Sequence, residues 1–346
     1  MRNDTIRIGV VGAGNKTRET HIPQLKAIEG VEVVSLANRT KESGLLVAEK
    51  LGIPTVYDNW LKVVEDDDND AICIGTWPYM HCAVTLAALE NNKHVLCEAR
   101  MAMNGVEART MLEAARQRPH LITQVVPSVH FAKSYTVIKE LISDGYLGEI
   151  LTVELTRMQP NFVDRDSLLH WRQDSNLSGF NTMYMGMWYE EMMRLVGPAT
   201  RVMALTKVNV PQRMDANGVV QTVTVPDHVD ILANLACGAT AHLRFSAVTG
   251  LAPSGEFWIF GSEGTLKLDE ADLKLYGGRR GDRSLKEINI PLEKQVKWRV
   301  EEEFINAIRG KEKISYTTFE EGVRYMEFTE AVIRSAQTGT AINLPL

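Results

Sequence analysis

Apolar and polar positions alternate along the first 125 residues in two rhythms. Short runs that are apolar almost throughout, at 5–12, 31–37, 71–75, 94–98 and 121–126, read as strands buried on both faces of a parallel sheet. Between them, stretches near 20–29, 40–51, 79–91 and 103–117 carry helical spacing. Strand–helix alternation of this kind predicts a parallel sheet with right-handed crossovers. After Pro127 the rhythm changes. A helix over 133–143 ends at Asp144-Gly145, and a strand follows at 149–157. An irregular polar stretch occupies 158–180, and a helical run then closes at Leu195. From 200 to 276 several antiparallel strands are punctuated by turn signals at Asn217-Gly218 and Glu263-Gly264, and helices near 298–309 and 318–337 follow. The reading is an α/β protein. A doubly wound parallel domain over 1–126 is joined to an α+β domain over 127–346 with a large, mostly antiparallel open sheet.

Composition supports two domains and narrows the partners. The chain has 346 residues, 45% hydrophobic and 24% charged, whereas single cores stop growing near roughly 250–300 residues. A net charge of −6 with no block of Lys and Arg speaks against nucleic acid and anionic membrane surfaces. No run of signal-peptide or membrane-span length is seen, so a cytoplasmic protein is expected. Cys73, Cys82, Cys97 and Cys237 lie far apart without metal-ligand spacing, which reads as reduced thiols and no metal site. The acidic run at 65–70 reads as a solvated helix end and turn.

Chemistry enters at the first turn. Gly12-Ala13-Gly14-Asn15-Lys16-Thr17 follows the first strand directly and fits the glycine-rich dinucleotide fingerprint of a Rossmann domain, with Thr17 where a third glycine is usual. The two glycines permit a tight turn and close approach of a pyrophosphate to a helix N-terminus. The third mainly serves helix–strand packing, so Thr17 is expected to loosen that contact. The second strand ends in Asn38-Arg39-Thr40-Lys41, with no acid to hold a ribose 2′-hydroxyl and two cations suited to a 2′-phosphate. NADP is therefore expected ahead of NAD.

The chain resembles the Gfo/Idh/MocA family. The resemblance rests on the 12–17 loop, on "WPYMHCAVTLAALENNKHVLCEARMA" (77–102), "LISDGYLGEI" (141–150), "HWRQD" (170–174), "GSEGTLKLD" (261–269) and the closing stretch 326–346. It implies a Rossmann domain followed by an α/β domain whose open sheet mediates homodimer or homotetramer formation, and activity on sugar or cyclitol alcohols with NAD(P). It also implies that Thr76, Trp77, His81 and Glu98 belong to the cofactor site. The family's catalytic groups, however, are replaced. Its Glu-Lys-Pro motif reads Glu98-Ala99-Arg100 here, and its Asp and His positions fall on Tyr184 and Trp188, with Gly179 and Gly186 holding the register and Glu191 matching a further acid.

An alcohol oxidation still needs a group to take the hydroxyl proton. Tyr184 is the leading candidate, because a phenol serves when a cation stands beside it, and Arg100 is the cation expected there. Arg100 could instead clamp an anionic substrate group. His170 and His130 are the other candidate proton carriers. Trp171, Arg172 and Trp188 are expected to bind substrate, the last as part of a Met- and aromatic-rich wall over 183–193. Three functions fit these residues. The first is an NAD(P)-dependent oxidoreductase acting on a sugar, sugar acid or cyclitol. The others are a redox-assisted glycoside-cleaving enzyme and a non-catalytic dinucleotide-binding sensor.

Overall fold

The computed structural model describes residues 5–128 and 131–346. The chain divides into two compact units. One runs up to Pro127 and includes Arg299–Met326, while the other takes Ser128–Trp298 and Glu327–Leu346. The second domain is thus not the continuous 127–346 of the sequence reading. Buried polar groups explain the return of 299–326 to the first unit. Gln124 donates to the Glu303 carboxylate at 2.7 Å, Val125 N–H to the Thr317 carbonyl at 2.9 Å, and Met101 N–H to the Tyr325 hydroxyl at 2.5 Å. Such pairings are obligatory once the groups leave water, and no local pattern announces them.

In the first unit, β1 (Ile6–Val11), β2 (Val31–Ala37), β3 (Thr55–Tyr57), β4 (Ala71–Ile74), β5 (His94–Cys97) and β6 (Thr123–Val125) form one parallel sheet in the order β3-β2-β1-β4-β5-β6. Four central strands match the apolar runs to within a residue or two, because strands covered on both faces cannot alternate. Helices α1 (Ile22–Ala27), α2 (Lys41–Leu51), α4 (Pro78–Glu90) and α5 (Gly105–Arg116) connect them. α5 starts two residues later than expected because Asn104 accepts from Glu107 N–H and caps it. Strand β3 and helix α3 (Trp60–Glu65) escaped the sequence reading, being too short to show a period. The acidic run after α3 is a turn around a buried amide. Asn69 donates to Val63 O at 2.7 Å and to Ser35 Oγ at 2.8 Å.

The second unit carries α6 (Ala132–Ser143), β7 (Ile150–Met158), α7 (Ser175–Ser178) and α8 (Met185–Val196). Its nine-stranded sheet has the order β16-β15-β14-β13-β7-β12-β11-β8-β17. These strands are β8 (Ala199–Lys207), β11 (His228–Leu235), β12 (Thr240–Ser246), β13 (Gly255–Gly261), β14 (Gly264–Asp269), β15 (Lys274–Arg279), β16 (Lys286–Ile288) and β17 (Ile342–Asn343). All neighbours are antiparallel except β7 and β12. Strands β9 (Gln212–Met214) and β10 (Val220–Thr222) form a separate hairpin around the predicted Asn217-Gly218 turn. α9 (Val300–Ile308) and the long α10 (Phe319–Thr338) close the chain. No helix among the described residues is long and apolar enough to cross a membrane.

Candidate functional site

The first unit presents a dinucleotide cradle at the carboxyl ends of β1, β2 and β4. A cavity of about 240 Å³ is lined by Gly12, Gly14, Asn38, Arg39, Thr76 and Trp77, among others. Gly12 has φ of +84°, and a Cβ there would lie 2.6 Å from Thr76 Cγ2 and 2.8 Å from Thr76 N, so only glycine fits. At Gly14 a Cβ would meet only the Gly75 carbonyl, at 3.6 Å. The backbone is therefore open where a pyrophosphate must approach. Thr76 Oγ1 is buried without a hydrogen-bond partner beside this space. Asn38 Oδ1 accepts from Ala13 N–H at 2.7 Å and braces the loop, and the Arg39 guanidinium lies 6.0 Å from the centre of the Trp77 ring. Asn15 accepts from Arg18, and Asn15 and Lys16 are exposed at the mouth of the helical segment. These residues fit an NAD(P) cofactor.

Thr17 does not loosen the loop as its side chain suggested. It is buried, and its hydroxyl packs where a side chain at Gly75 would otherwise stand. The glycine has in effect moved across the contact, from the helix to the end of β4. A methyl at position 75 would overlap both Thr17 Oγ1 and the Gly12 carbonyl. Gly75→Ala should therefore cost about 1–3 kcal/mol by overpacking and weaken dinucleotide binding. A denaturant midpoint equal to that of the wild type would show that the contact yields.

The turn after β5 is held from two sides. His81 is buried and spans two backbone carbonyls, Nδ1 to Arg100 O and Nε2 to Thr76 O, each at 2.9 Å. It thereby ties the cofactor loop to the Glu98–Arg100 turn. Burial pushes its pKa down, so the ring is neutral and donates to one carbonyl at a time. Arg100 is 2% exposed. It does not display an open fork of donors, which corrects the picture of a clamp standing ready for a substrate anion. Glu98 accepts from Ala99 N–H at 3.0 Å and meets His21 Nε2 at 2.6 Å, while His21 Nδ1 meets Glu301 at 2.5 Å. His21 is fully buried, and the two carboxylates outweigh the opposing effect of burial to raise its pKa from 6.5 to about 9. The ring is an imidazolium between two carboxylates. Sequence reasoning missed this cluster. His21 was visible as one polar residue inside "THIPQL", but Glu301 lies 280 residues away and looks like one member of a solvated acidic run.

In the second unit, four of the expected residues converge. The Arg172 guanidinium lies 4.3 Å from the Trp171 ring centre and 5.7 Å from that of Tyr184, and the His170 and Trp171 rings lie 5.7 Å apart. Two local devices position them. His170 caps a single 3-10 turn over Trp171–Gln173, accepting from Arg172 N–H at 3.3 Å through Nδ1. Tyr184 is the N-cap of α8, after Met183 with φ of +46°, and its carbonyl accepts from Trp188 N–H at 3.1 Å. Arg172 is a cation beside the phenol ring. Burial and the Arg172 charge push His170 down, leaving it neutral with Nε2–H as its donor.

The other expectations fare differently. Trp188 is 2% exposed and packs edge-on against Phe131, 5.1 Å between ring centres, with Arg157 5.9 Å away. It is a core residue, because the apolar stripe of α8 faces the sheet, and it is not displayed as a substrate-binding wall. Glu191 accepts from Ser128 Oγ and Phe131 N–H, and so anchors the chain ahead of α6. His130 lies outside the described residues.

Residues 6–125 match the model of the oxidoreductase family with an NAD-binding Rossmann fold, and residues 135–267 match the GFO/IDH/MocA C-terminal domain. The chain is 26% identical over 254 residues to levoglucosan dehydrogenase of Pseudarthrobacter phenanthrenivorans, spanning 67% of this chain and 63% of that protein. It is 33% identical over 142 residues to 1,5-anhydro-D-fructose reductase of Ensifer adhaerens, 41% of this chain and 42% of the relative. Levoglucosan dehydrogenase solved with NADH and L-sorbose superposes with a TM-score of 0.83 at 20% identity, covering 99% of each chain, a likeness of fold alone. With both of its domains matched in order along most of its length, the chain belongs to the Gfo/Idh/MocA oxidoreductase family.

Proposed function

We propose that the protein is an NAD(P)-dependent oxidoreductase acting on an alcohol group of a sugar, sugar acid or cyclitol, with Tyr184 as the proton carrier in place of the family's lysine. The observation that carries this reading is the Arg172 guanidinium lying over both the Trp171 and Tyr184 rings. The arrangement sets a phenol hydroxyl, a group able to exchange a proton with an alcohol, beside a fixed cation and a ring that can hold a polyol. Relatives that are sugar dehydrogenases and reductases support the substrate class. The bound nicotinamide would supply the hydride acceptor or donor. The chain's own residues divide the remaining work: Gly12, Gly14 and Thr76 cradle the dinucleotide, Tyr184 takes or returns the hydroxyl proton, and Trp171 and Arg172 orient the polyol. His170, exposed and with its ring beside that of Trp171, is the second candidate for the proton.

Asn38 and Arg39 support NADP ahead of NAD, since the end of β2 carries no carboxylate and Arg39 rests on Trp77 at the cavity rim. Arg39→Ala should weaken NADPH binding about tenfold or more while changing NADH little, the loss of one charge-assisted contact to a phosphate. Equal effects on the two cofactors in a fluorescence titration would remove the preference. The exposed Met203, Leu205 and Leu232 on the open sheet support a homodimer or homotetramer.

The test begins with an absorbance scan and mass spectrum of the purified protein, followed by nicotinamide absorbance with a panel of sugars, sugar acids and cyclitols. Substrate-dependent change in that band is the expected result. A retained cofactor with glycoside release and no net cofactor turnover would replace this reading with redox-assisted cleavage. Reversible binding without either reaction would leave a sensor.

A further inference from the structure

The Glu98–His21–Glu301 cluster, its histidine fully buried, takes no part in the chemistry above, yet it joins the elements that form the cofactor cradle. His21 ends the helical segment that begins at Thr17, directly after the Gly12–Gly14 turn. Glu98 follows β5, and its N–H donates to Ile74 O at 2.9 Å, one residue before Gly75. Gly75 is the wall against which Thr17 packs. Glu301 belongs to α9, which the chain brings back to this unit from far along the sequence. The His21 ring therefore binds the helical side of the cradle to its strand side and to α9 at once.

We propose that His21 is a positioning residue for dinucleotide binding: carrying its second proton, it holds the Glu98 carboxylate and the turn after β5 in register with the Gly12–Thr17 loop. The cofactor identity rests on the functional reading above. With the imidazolium present, the buried Glu301 carboxylate and the half-buried Glu98 carboxylate share one positive charge. Without it, a neutral ring can donate to only one of them, and two negative charges face each other with little water to screen them. The other titratable groups around the cluster do not change charge in the same range. Cys73 on β4 is pushed far up by burial and by both carboxylates, and His81 on α4 is pushed down by burial. Cys97 on β5 is likewise pushed well up. His21 alone among them gains or loses a proton between neutral pH and about 9.

The experiment is a titration of NADH and NADPH by fluorescence from pH 6.5 to 10, on the wild type, His21→Gln and Glu301→Gln, with near-ultraviolet circular dichroism as a check on folding. The wild type should lose about tenfold or more in affinity across the alkaline half of the range. His21→Gln should bind about tenfold more weakly at pH 7 and show no alkaline loss, while Glu301→Gln should move the break to lower pH. If His21→Gln fails to fold, the doubly neutral pair His21→Gln with Glu301→Gln, whose amides can still pair, takes its place with the same flat profile expected. Wild-type affinity that stays level to pH 10, or a break unmoved by Glu301→Gln, overturns the inference while leaving the cofactor reading intact. Binding of neither dinucleotide at any pH overturns the cofactor reading and the inference with it.

Discussion

Tyr184→Phe should lower kcat by two or more orders of magnitude and leave NAD(P) affinity within about twofold, as loss of a single general acid–base group does. The substitution is clean for a structural reason. Phenylalanine keeps the ring beside the Arg172 guanidinium, so the packing of the Trp171–Arg172–Tyr184 group is retained and only the hydroxyl is lost. Cofactor binding is measured separately because the cradle residues belong to the other unit. Turnover equal to wild type would sink the tyrosine assignment and move the role to His170, whose Nδ1 would have to exchange the Arg172 N–H for the hydroxyl proton. A matching loss in His170→Asn would then be required. Equal losses in both variants would mean that the two side chains act as one relay.

The second large effect is on stability against pH. His21 is fully buried with its pKa raised from 6.5 to about 9. Its contribution is fully present below the unfolded value of 6.5 and is lost as pH rises through about 9. Each tenfold gain in proton affinity on folding is worth about 1.4 kcal/mol, so the loss is on the order of 3 kcal/mol. Glu98 has the opposite sense, its pKa lowered by His21 against the effect of burial, so its contribution holds above its ordinary value and fades as pH falls through the lower one. Both describe the same ion pair and are not added. Urea unfolding followed from pH 6 to 10 should show the decline in wild type and a level, lower stability in His21→Gln. A wild-type curve with no decline by pH 10 would mean that the cluster is not charged as its geometry indicates.

Much of the first unit was legible from the chain alone. The strands β1, β2, β4 and β5 announce themselves because nearly every residue of a doubly covered strand must be apolar, and Gly12 and Gly14 announce the cradle because a side chain there would fill the turn or the space left for a pyrophosphate. Strand β3 and helix α3 stayed hidden, since three and six residues are too few to display a period. Family resemblance singled out the 170–174 and 178–188 stretches, and the side chains of residues 170, 171, 172 and 184 lie together. It could not foresee that Trp188 is a core residue, because the same stretch of Met and aromatic residues also supplies Tyr184 beside Arg172. Tyr184 lies beside Arg172, whereas Trp188 is buried against Phe131.

What the sequence by itself determined, then, is everything governed by neighbours along the chain: strand and helix periods, caps, turns and the glycine loop. The tertiary structure alone decided which cation stands beside Tyr184, that Gly75 makes room for Thr17, and that His21 meets a glutamate 280 residues away. Those pairings depend on the desolvation of charges and on close packing between distant segments. Both arise only after the chain has folded, and neither leaves a periodic trace in the order of residues.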